Sequence, residues 1–168
     1  MTLSAPLGAS CTTSTSAADL NLPIYLDQMG TSALALPLRQ ARFSNITVSG
    51  DHSCIGKYNA AGLMPRDNCF PTPQNPDFFP AGEVDGFINL DQADAVGIDA
   101  LTQSLCVVLS GDPTAYGDGG APKKCKRVNG KIVFPGDWCT ATNQPATAQC
   151  NDAVRFAGAF AASGVTIN

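Results

Sequence analysis

This chain of 168 residues is poor in charged side chains and lacks the local motifs that usually mark a metal or membrane protein. Asp, Glu, Lys and Arg together make up 14% of the chain, well below the usual quarter. No cysteine is followed two residues later by another, which excludes the common zinc-finger and iron–sulfur ligand patterns. No apolar run approaches the 18 residues that a membrane-spanning helix needs, so the sequence predicts no transmembrane segment.

Motifs for catalysis are also missing. There is no Gly-x-Ser-x-Gly elbow and no glycine-rich phosphate loop, and the single histidine, His52, lies in a predicted turn. The carboxylates are scattered beside Gly, Pro and Asn, which is typical of turn-forming aspartates. We therefore predict no catalytic residues, and the sequence favours a non-catalytic protein. The alternative is a small secreted hydrolase that uses carboxylates or His52.

The charge balance narrows the choice of partner. The net charge of −4 and the isoelectric point near 4.7 disfavour nucleic acid and a polybasic membrane anchor, because both interactions rely on clustered Lys and Arg. One basic cluster stands out, Lys123 to Arg127. It could attract an acidic partner or a polysaccharide, although a solvated turn beside a disulfide is the favoured interpretation.

Cysteine is the most informative residue type that is present. Seven widely spaced cysteines in a chain rich in Gly and Pro predict disulfides, and hence a secreted, periplasmic or cell-surface protein. Seven is odd, and Cys11 is the expected unpaired thiol: free, lipidated or bonded to another chain. Six cysteines are predicted to be bridged: Cys54, Cys69, Cys106, Cys125, Cys139 and Cys150. They allow fifteen pairings, among which proximity favours Cys54–Cys69.

The composition predicts the fold class. With 16 Gly, 12 Pro and many turn-forming aspartates, we expect a mainly β protein with little helix. The predicted architecture is an antiparallel β-sandwich or open barrel with long disulfide-tethered loops. Residues 21–168 are predicted to form this single domain, after a flexible leader over 1–20.

Individual segments give sharper expectations. Leucines at 34, 36 and 38 alternate with small or polar residues, which predicts a strand with one buried face, and Pro37 places it towards a sheet edge. The apolar run 105–109 predicts a central strand. Asn129-Gly130 predicts a tight hairpin turn, and the shared parity of apolar residues over 154–162 predicts a strand.

A metal site is a weaker expectation. The segment 83–91 resembles an EF-hand or dockerin loop, because oxygen ligands, a glycine and an aliphatic residue stand at places three, five, six and eight. Those residues are Glu83, Asp85, Gly86 and Ile88. Ala81 and Gln92 would fill the first and twelfth places and lack the required carboxylates, so an ordinary Asp-Gly turn is favoured. A looser Ca²⁺ site is the alternative, formed by Asp85, Asp91 or Asp94, and no other cofactor is expected.

Aromatic residues on the predicted loops are the candidate binding residues. Rigid aromatic side chains on tethered loops give apolar contact at low entropic cost. The residues are Tyr58, Phe70, Phe78, Phe79 and Trp138. The sequence thus favours an exported or cell-envelope recognition or assembly module that binds a protein, glycan or surface through its loops. Besides the hydrolase, a subunit of an extracellular filament or surface layer is an alternative.

Overall fold

The computed structural model describes residues 12–25, 33–47, 54–55, 82–111, 123–160 and 162–163. The strands are β1 (Thr12–Thr13), β2 (Ala18–Tyr25), β3 (Ala33–Ser44), β4 (Ile46–Thr47), β5 (Cys54–Ile55), β6 (Gly82–Asn89), β7 (Gly97–Ile98), β8 (Gln103–Ser104), β9 (Arg127–Val128), β10 (Lys131–Ile132), β11 (Trp138–Cys139), β12 (Gln144–Pro145), β13 (Ala153–Phe160) and β14 (Ala162–Ser163). The helices are α1 (Leu90–Ala95) and α2 (Leu105–Ser110), with a 3-10 turn at Asp99–Leu101.

The mainly β, antiparallel fold is confirmed. Six strands form one sheet in the order β12-β11-β13-β6-β3-β2, and four two-stranded pairs complete the described strands. The choice between sandwich and open barrel stays a prediction. Among the described residues, no helix is long and apolar enough to cross a membrane. β1 and the first residues of β2 fall within the 1–20 segment, and the boundary between leader and domain also stays a prediction.

Strand β3 shows how the alternation in the sequence builds the core. Leu34, Leu36 and Leu38 are all buried, as a strand with period two requires. The predicted edge position is wrong, because β3 lies between β6 and β2 and Pro37 is buried within it. The proline removes only one ladder donor, and the burial of three leucines outweighs that loss at about 2 kcal/mol each.

Two local predictions are wrong because the tertiary structure overrides them. Residues 105–110 form helix α2, not a central strand, and the Asp85-Gly86 pair lies inside β6 and not in a turn. The helix is capped at both ends: the Ser104 side chain accepts a hydrogen bond from the Val107 N–H, and Gly111 adopts φ 61°. Serine and glycine are favoured at these two positions for those reasons.

The chain divides into two compact units. The first comprises 1–18, 41–85 and 157–168, and its described part is held by aromatic and backbone contacts. The rings of Phe43 and Phe160 meet edge to face with centroids 5.1 Å apart. Thr15 donates its N–H to the Phe43 carbonyl and accepts the Phe43 N–H on its hydroxyl, at 2.8 and 3.1 Å. The Asn45 amide donates to Glu83 at 2.8 Å.

The second unit comprises 19–40 and 86–156 and contains the helices and both disulfides found among the described residues. Its core includes the leucines of β3 and the buried side chains of Phe87, Ile88 and Leu105. The bridges join Cys106 to Cys125 and Cys139 to Cys150, which confirms the prediction of disulfides for these four cysteines. Cys69 and Cys11 lie outside the described residues, and of Cys54 only the strand assignment is described.

Candidate functional site

A polar groove of about 460 Å³ in the second unit is the candidate site. It is formed by the start of β2, the middle of β3, the end of β6 with α1, and the loop that follows β11. Its lining residues are Asp19, Arg39, Gln40, Phe87, Asn89, Gln92, Thr140, Ala141, Thr142 and Asn143. Apart from one ion pair, the polar lining consists of neutral amides and hydroxyls.

One wall of the groove is an ordered hydrogen-bond chain. The Arg39 guanidinium lies 3.0 Å from the Asp19 carboxylate, and its Nε donates to the Gln92 side-chain oxygen at 2.7 Å. The second carboxylate oxygen of Asp19 accepts the backbone N–H of Gln40 at 2.9 Å. Because Arg39 and Asp19 neutralise each other, this wall presents no net charge to a ligand.

The base of α1 positions the polar groups next to this wall. Asn89 is the N-cap of the helix, and its side-chain oxygen accepts the Gln92 N–H at 3.1 Å. This bond satisfies one of the free N–H groups at the helix start and fixes the Asn89 side chain. Phe87, buried just before the cap in β6, supplies the apolar surface of the groove.

The opposite wall is the loop 140–143, which is held by Trp138 and a disulfide. The Trp138 indole N–H donates to the Asn143 side-chain oxygen at 2.9 Å, and the Arg155 guanidinium lies 5.4 Å from the centre of the Trp138 ring. The Asn143 N–H donates to the Cys139 carbonyl at 3.0 Å, and Cys139 is bridged to Cys150. Trp138 therefore supports the groove wall from behind and is not among the lining residues.

Asp152 fixes the start of the same loop. Its carboxylate accepts the Thr140 N–H at 2.9 Å and the Thr140 hydroxyl at 2.5 Å. Burial would raise the pKa of Asp152, but these two hydrogen bonds stabilise the carboxylate and hold its pKa below the ordinary value. The loop is thus fastened to β13 by a charged hydrogen-bond acceptor at every pH near neutrality.

No protein-family model, curated protein or solved structure matches this chain. The chemistry of the site therefore has to be argued from its own geometry.

The most buried charge of the described chain lies in a separate network around Asp94. The Asp94 carboxylate accepts the Ser104 hydroxyl and the Cys125 N–H, each at 2.8 Å, and the Arg127 guanidinium at 3.0 Å. Lys124 Nζ also donates to the Asp94 backbone carbonyl. Burial would raise the pKa of Asp94, but the hydrogen bonds from Cys125, Arg127 and Ser104 outweigh that effect and lower it.

This network explains what two of the predicted metal ligands do. Asp91 and Asp94 both bind Arg127, at 2.7 and 3.0 Å, and a guanidinium at that distance repels a cation. Asp85 lies in β6, in the other unit at the boundary residue. The proposed Ca²⁺ site stays a prediction that these contacts do not favour.

Two further groups of potential ligands lie beside the disulfides. Asp94 lies close to the Cys106–Cys125 sulfurs, and Asp152 lies close to the Cys139–Cys150 sulfurs. In both groups the sulfurs are bonded to each other, so neither group offers a thiolate to a metal ion. The carboxylates instead accept hydrogen bonds that hold the bridged segments in place.

The predicted aromatic binding residues are only partly within the described structure. Trp138 is half-buried beside the groove, whereas Tyr58, Phe70, Phe78 and Phe79 lie outside the described residues, as does His52. The groove residues themselves were missed by sequence reasoning. They come from four separate segments and share no spacing or motif, so the sequence holds no local signal that could have brought them together.

Removing the Cys139–Cys150 bridge should loosen the wall of the groove. For Cys139→Ser with Cys150→Ser we expect a loss of about 3 kcal/mol in the free energy of unfolding, the value for a crosslink closing a loop of this length. Urea unfolding of both forms measures this loss. The emission of Trp138, the only tryptophan, should also shift in the folded state because the residue adjoins Cys139.

The matched control is Cys106→Ser with Cys125→Ser, which removes a bridge of similar loop length elsewhere in the unit. We expect a similar loss of stability and an unchanged tryptophan emission. A loss below about 1 kcal/mol for the Cys139–Cys150 variant would mean that the hydrogen bonds of Asp152 and Asn143 hold the loop without the bridge.

Proposed function

We propose that this protein is an exported or cell-envelope recognition module that binds a neutral, hydroxyl-rich ligand, an oligosaccharide, without catalysing a reaction. The observation that carries the proposal is the polar lining of the groove. Sugar hydroxyls both donate and accept hydrogen bonds, and amide and hydroxyl side chains do the same. The groove groups such side chains around one apolar surface, that of Phe87.

The charge of the groove supports a neutral ligand. Its one carboxylate, Asp19, is paired with its one guanidinium, that of Arg39, at 3.0 Å. A phosphorylated or carboxylated ligand would have to compete with Asp19 for Arg39. A neutral glycan leaves the pair intact and can bond to the amides beside it.

The rigidity of the groove also supports binding without chemistry. The wall formed by 140–143 is held by a disulfide, by Trp138 and by Asp152, and the opposite wall by the Asn89 cap. A preformed site reduces the conformational entropy that a ligand must offset on binding. The two disulfides also support export, because such bonds persist in oxidising compartments.

The alternatives have less support among the described residues. Glycoside hydrolysis commonly requires two carboxyl groups facing the scissile bond, whereas the lining of the groove contains Asp19 alone and in an ion pair. A filament subunit would join its neighbours through an open strand edge. The outer strand β2 carries Pro23, which cannot donate a hydrogen bond to an added strand.

Binding to a panel of neutral oligosaccharides, followed by calorimetric titration of the best ligand, tests this proposal. We expect Gln92→Leu with Thr142→Val to weaken binding about tenfold, because each neutral hydrogen bond lost contributes about 1 kcal/mol. Gln144→Ala is the matched control, since Gln144 is exposed on β12 and outside the groove. Binding that the groove substitutions leave unchanged would contradict the site, and cleavage of the oligosaccharide would favour the hydrolase.

A further inference from the structure

The hairpin formed by β9 and β10 has two different faces. In its antiparallel register Lys131 pairs with Val128 and Ile132 with Arg127. The Val133 N–H donates to the Lys126 carbonyl at 2.9 Å, which extends the register by one pair. Cross-strand partners lie on the same face, and alternate residues share a face. The outer face of the hairpin therefore consists of Lys126, Val128, Lys131 and Val133.

All four residues of this outer face are exposed. The exposed fractions of Val128 and Val133 are 56% and 50%, which is high for aliphatic residues. Each strand contributes one lysine and one valine, so the two lysines lie diagonally across the face, as do the two valines. The outer face thus offers cationic and apolar groups side by side.

The inner face holds the hairpin rigidly in place. Arg127 donates to Asp91 at 2.7 Å, to Asp94 at 3.0 Å and to the Gly130 carbonyl at 3.0 Å. The turn residues adopt positive φ values, 51° at Asn129 and 80° at Gly130, as the tight hairpin turns of this sequence type require. The outer face is therefore presented in a fixed conformation, which lowers the entropic cost of docking.

The charge of the chain is strongly divided. Residues 123–131 contain five of the ten cationic residues and no carboxylate. The remaining residues hold the other five cations against fourteen carboxylates, a net charge of −9. A basic hairpin on an otherwise acidic protein directs an anionic partner to this one place.

We propose that the outer face of the β9–β10 hairpin docks an extended, acidic segment of a partner protein. Successive side chains on one side of an extended segment stand about 6.8 Å apart, the same spacing as those of the hairpin strands. Alternating acidic and apolar residues would therefore meet lysines and valines in register. A polysaccharide would satisfy the lysines and leave the valines exposed, and the negative remainder of the chain would be repelled by an anionic bilayer. This surface is distinct from the groove.

Titration with a labelled peptide of alternating Glu and Val, followed by fluorescence anisotropy, tests the proposal on the intact protein. We expect Lys126→Gln with Lys131→Gln to weaken binding about tenfold, and Val128→Ser with Val133→Ser to weaken it several-fold. Salt should weaken the wild-type complex and affect the lysine variant much less. Thermal unfolding verifies that both variants fold, as expected for exposed positions.

The controls separate this face from charge and hydrophobicity in general. Lys126→Arg with Lys131→Arg should retain binding, since both charges are kept. Arg42→Gln and Leu101→Ser remove an exposed cation and an exposed apolar side chain elsewhere, and should leave the affinity unchanged. The groove variant Gln92→Leu with Thr142→Val should also bind the peptide normally, so failure of the glycan proposal does not affect this one.

Several outcomes would overturn the proposal. Tighter binding of a sulfated polysaccharide, insensitive to the valine substitutions, would identify a polyanion as the occupant. Co-sedimentation with anionic but not neutral vesicles, lost in the lysine variant, would identify a bilayer. Concentration-dependent dimers in gel filtration, abolished by the same variant, would identify a second copy of the chain. Peptide binding that neither pair of substitutions weakens would exclude the hairpin.

Discussion

Asp94→Ala is expected to lower the free energy of unfolding by about 3 kcal/mol, because it leaves the Ser104 hydroxyl and the Cys125 N–H buried without their acceptor. The guanidinium of Arg127 also loses its more buried partner. In a chain of this length the midpoint of thermal unfolding should fall by about 10 °C. Calorimetry and urea unfolding of the wild-type and variant proteins measure both quantities.

Asp91→Ala is the matched control, because Asp91 binds the same guanidinium from an exposed position. Its side chain is 70% exposed, against 7% for Asp94. An exposed ion pair contributes less than about 1 kcal/mol, so the control should be nearly as stable as the wild type. Equal losses for Asp91→Ala and Asp94→Ala would show that charge on Arg127, and not burial, determines the effect.

The pH dependence of stability follows from the lowered pKa of Asp94. A group whose pKa is lower in the folded than in the unfolded state adds stability above its unfolded pKa, about 3.9 for Asp. That stability is lost as the pH falls through the lower folded pKa. The difference in stability between the wild type and Asp94→Asn should therefore be constant above about pH 5 and decrease below about pH 4. A difference that does not change with pH would contradict the assignment.

Gly136→Ala is expected to destabilise the protein by about 3 kcal/mol or more, because the backbone of β13 occupies the space that a side chain would need. A Cβ at this position would lie 1.8 Å from the Ala153 carbonyl oxygen and 2.6 Å from its carbon. The Gly136 N–H also donates to the Asn151 carbonyl at 2.7 Å, so the segment cannot move away without losing that bond. Urea unfolding measures the loss.

Gly130→Ala distinguishes close approach from backbone conformation. Gly130 has φ 80° and no atom within 4 Å of the added Cβ, so its substitution adds strain of about 1 kcal/mol without a collision. Gly136 has the opposite combination. If Gly130→Ala were the more harmful of the two, the packing of residue 136 against β13 would not be the constraint that we describe.

The parts of the fold that were predictable are those set by local rules. The leucines of β3 alternate with period two, and the strand buries them on one face. Asn129-Gly130 forms its hairpin because both residues tolerate positive φ. The scattered cysteines predicted disulfides, and the two described bridges follow that prediction. In each case the physical cause lies within a few residues or in the chemistry of one residue type.

Helix α2 was missed because a short apolar run has no period that separates strand from helix. The decisive signals were the flanking residues, since Ser104 and Gly111 stand at the two capping positions. Asp85-Gly86 was misread for the opposite reason. A turn-forming pair can lie inside a strand when neighbouring strands supply its hydrogen bonds, as in β6.

The groove could not be predicted, because its position depends on strand order and not on sequence spacing. Arg39 and Gln92 are 53 residues apart and meet only through the packing of β3 and α1. Trp138 was correctly singled out as unusual, but its observed contacts support Asn143 from behind the groove wall. A residue type indicates what a side chain can do, whereas its neighbours determine what it does.

The two crosslinks also change what a break in the polypeptide means. Each closes a covalent ring, 106–125 and 139–150, within one compact unit. A peptide bond cut inside either ring leaves both ends attached through sulfur, so the fragments stay joined and their packing can persist. A protein exposed to extracellular proteases would keep its groove walls and its hairpin after such nicks, and would lose them only when reduction follows cleavage.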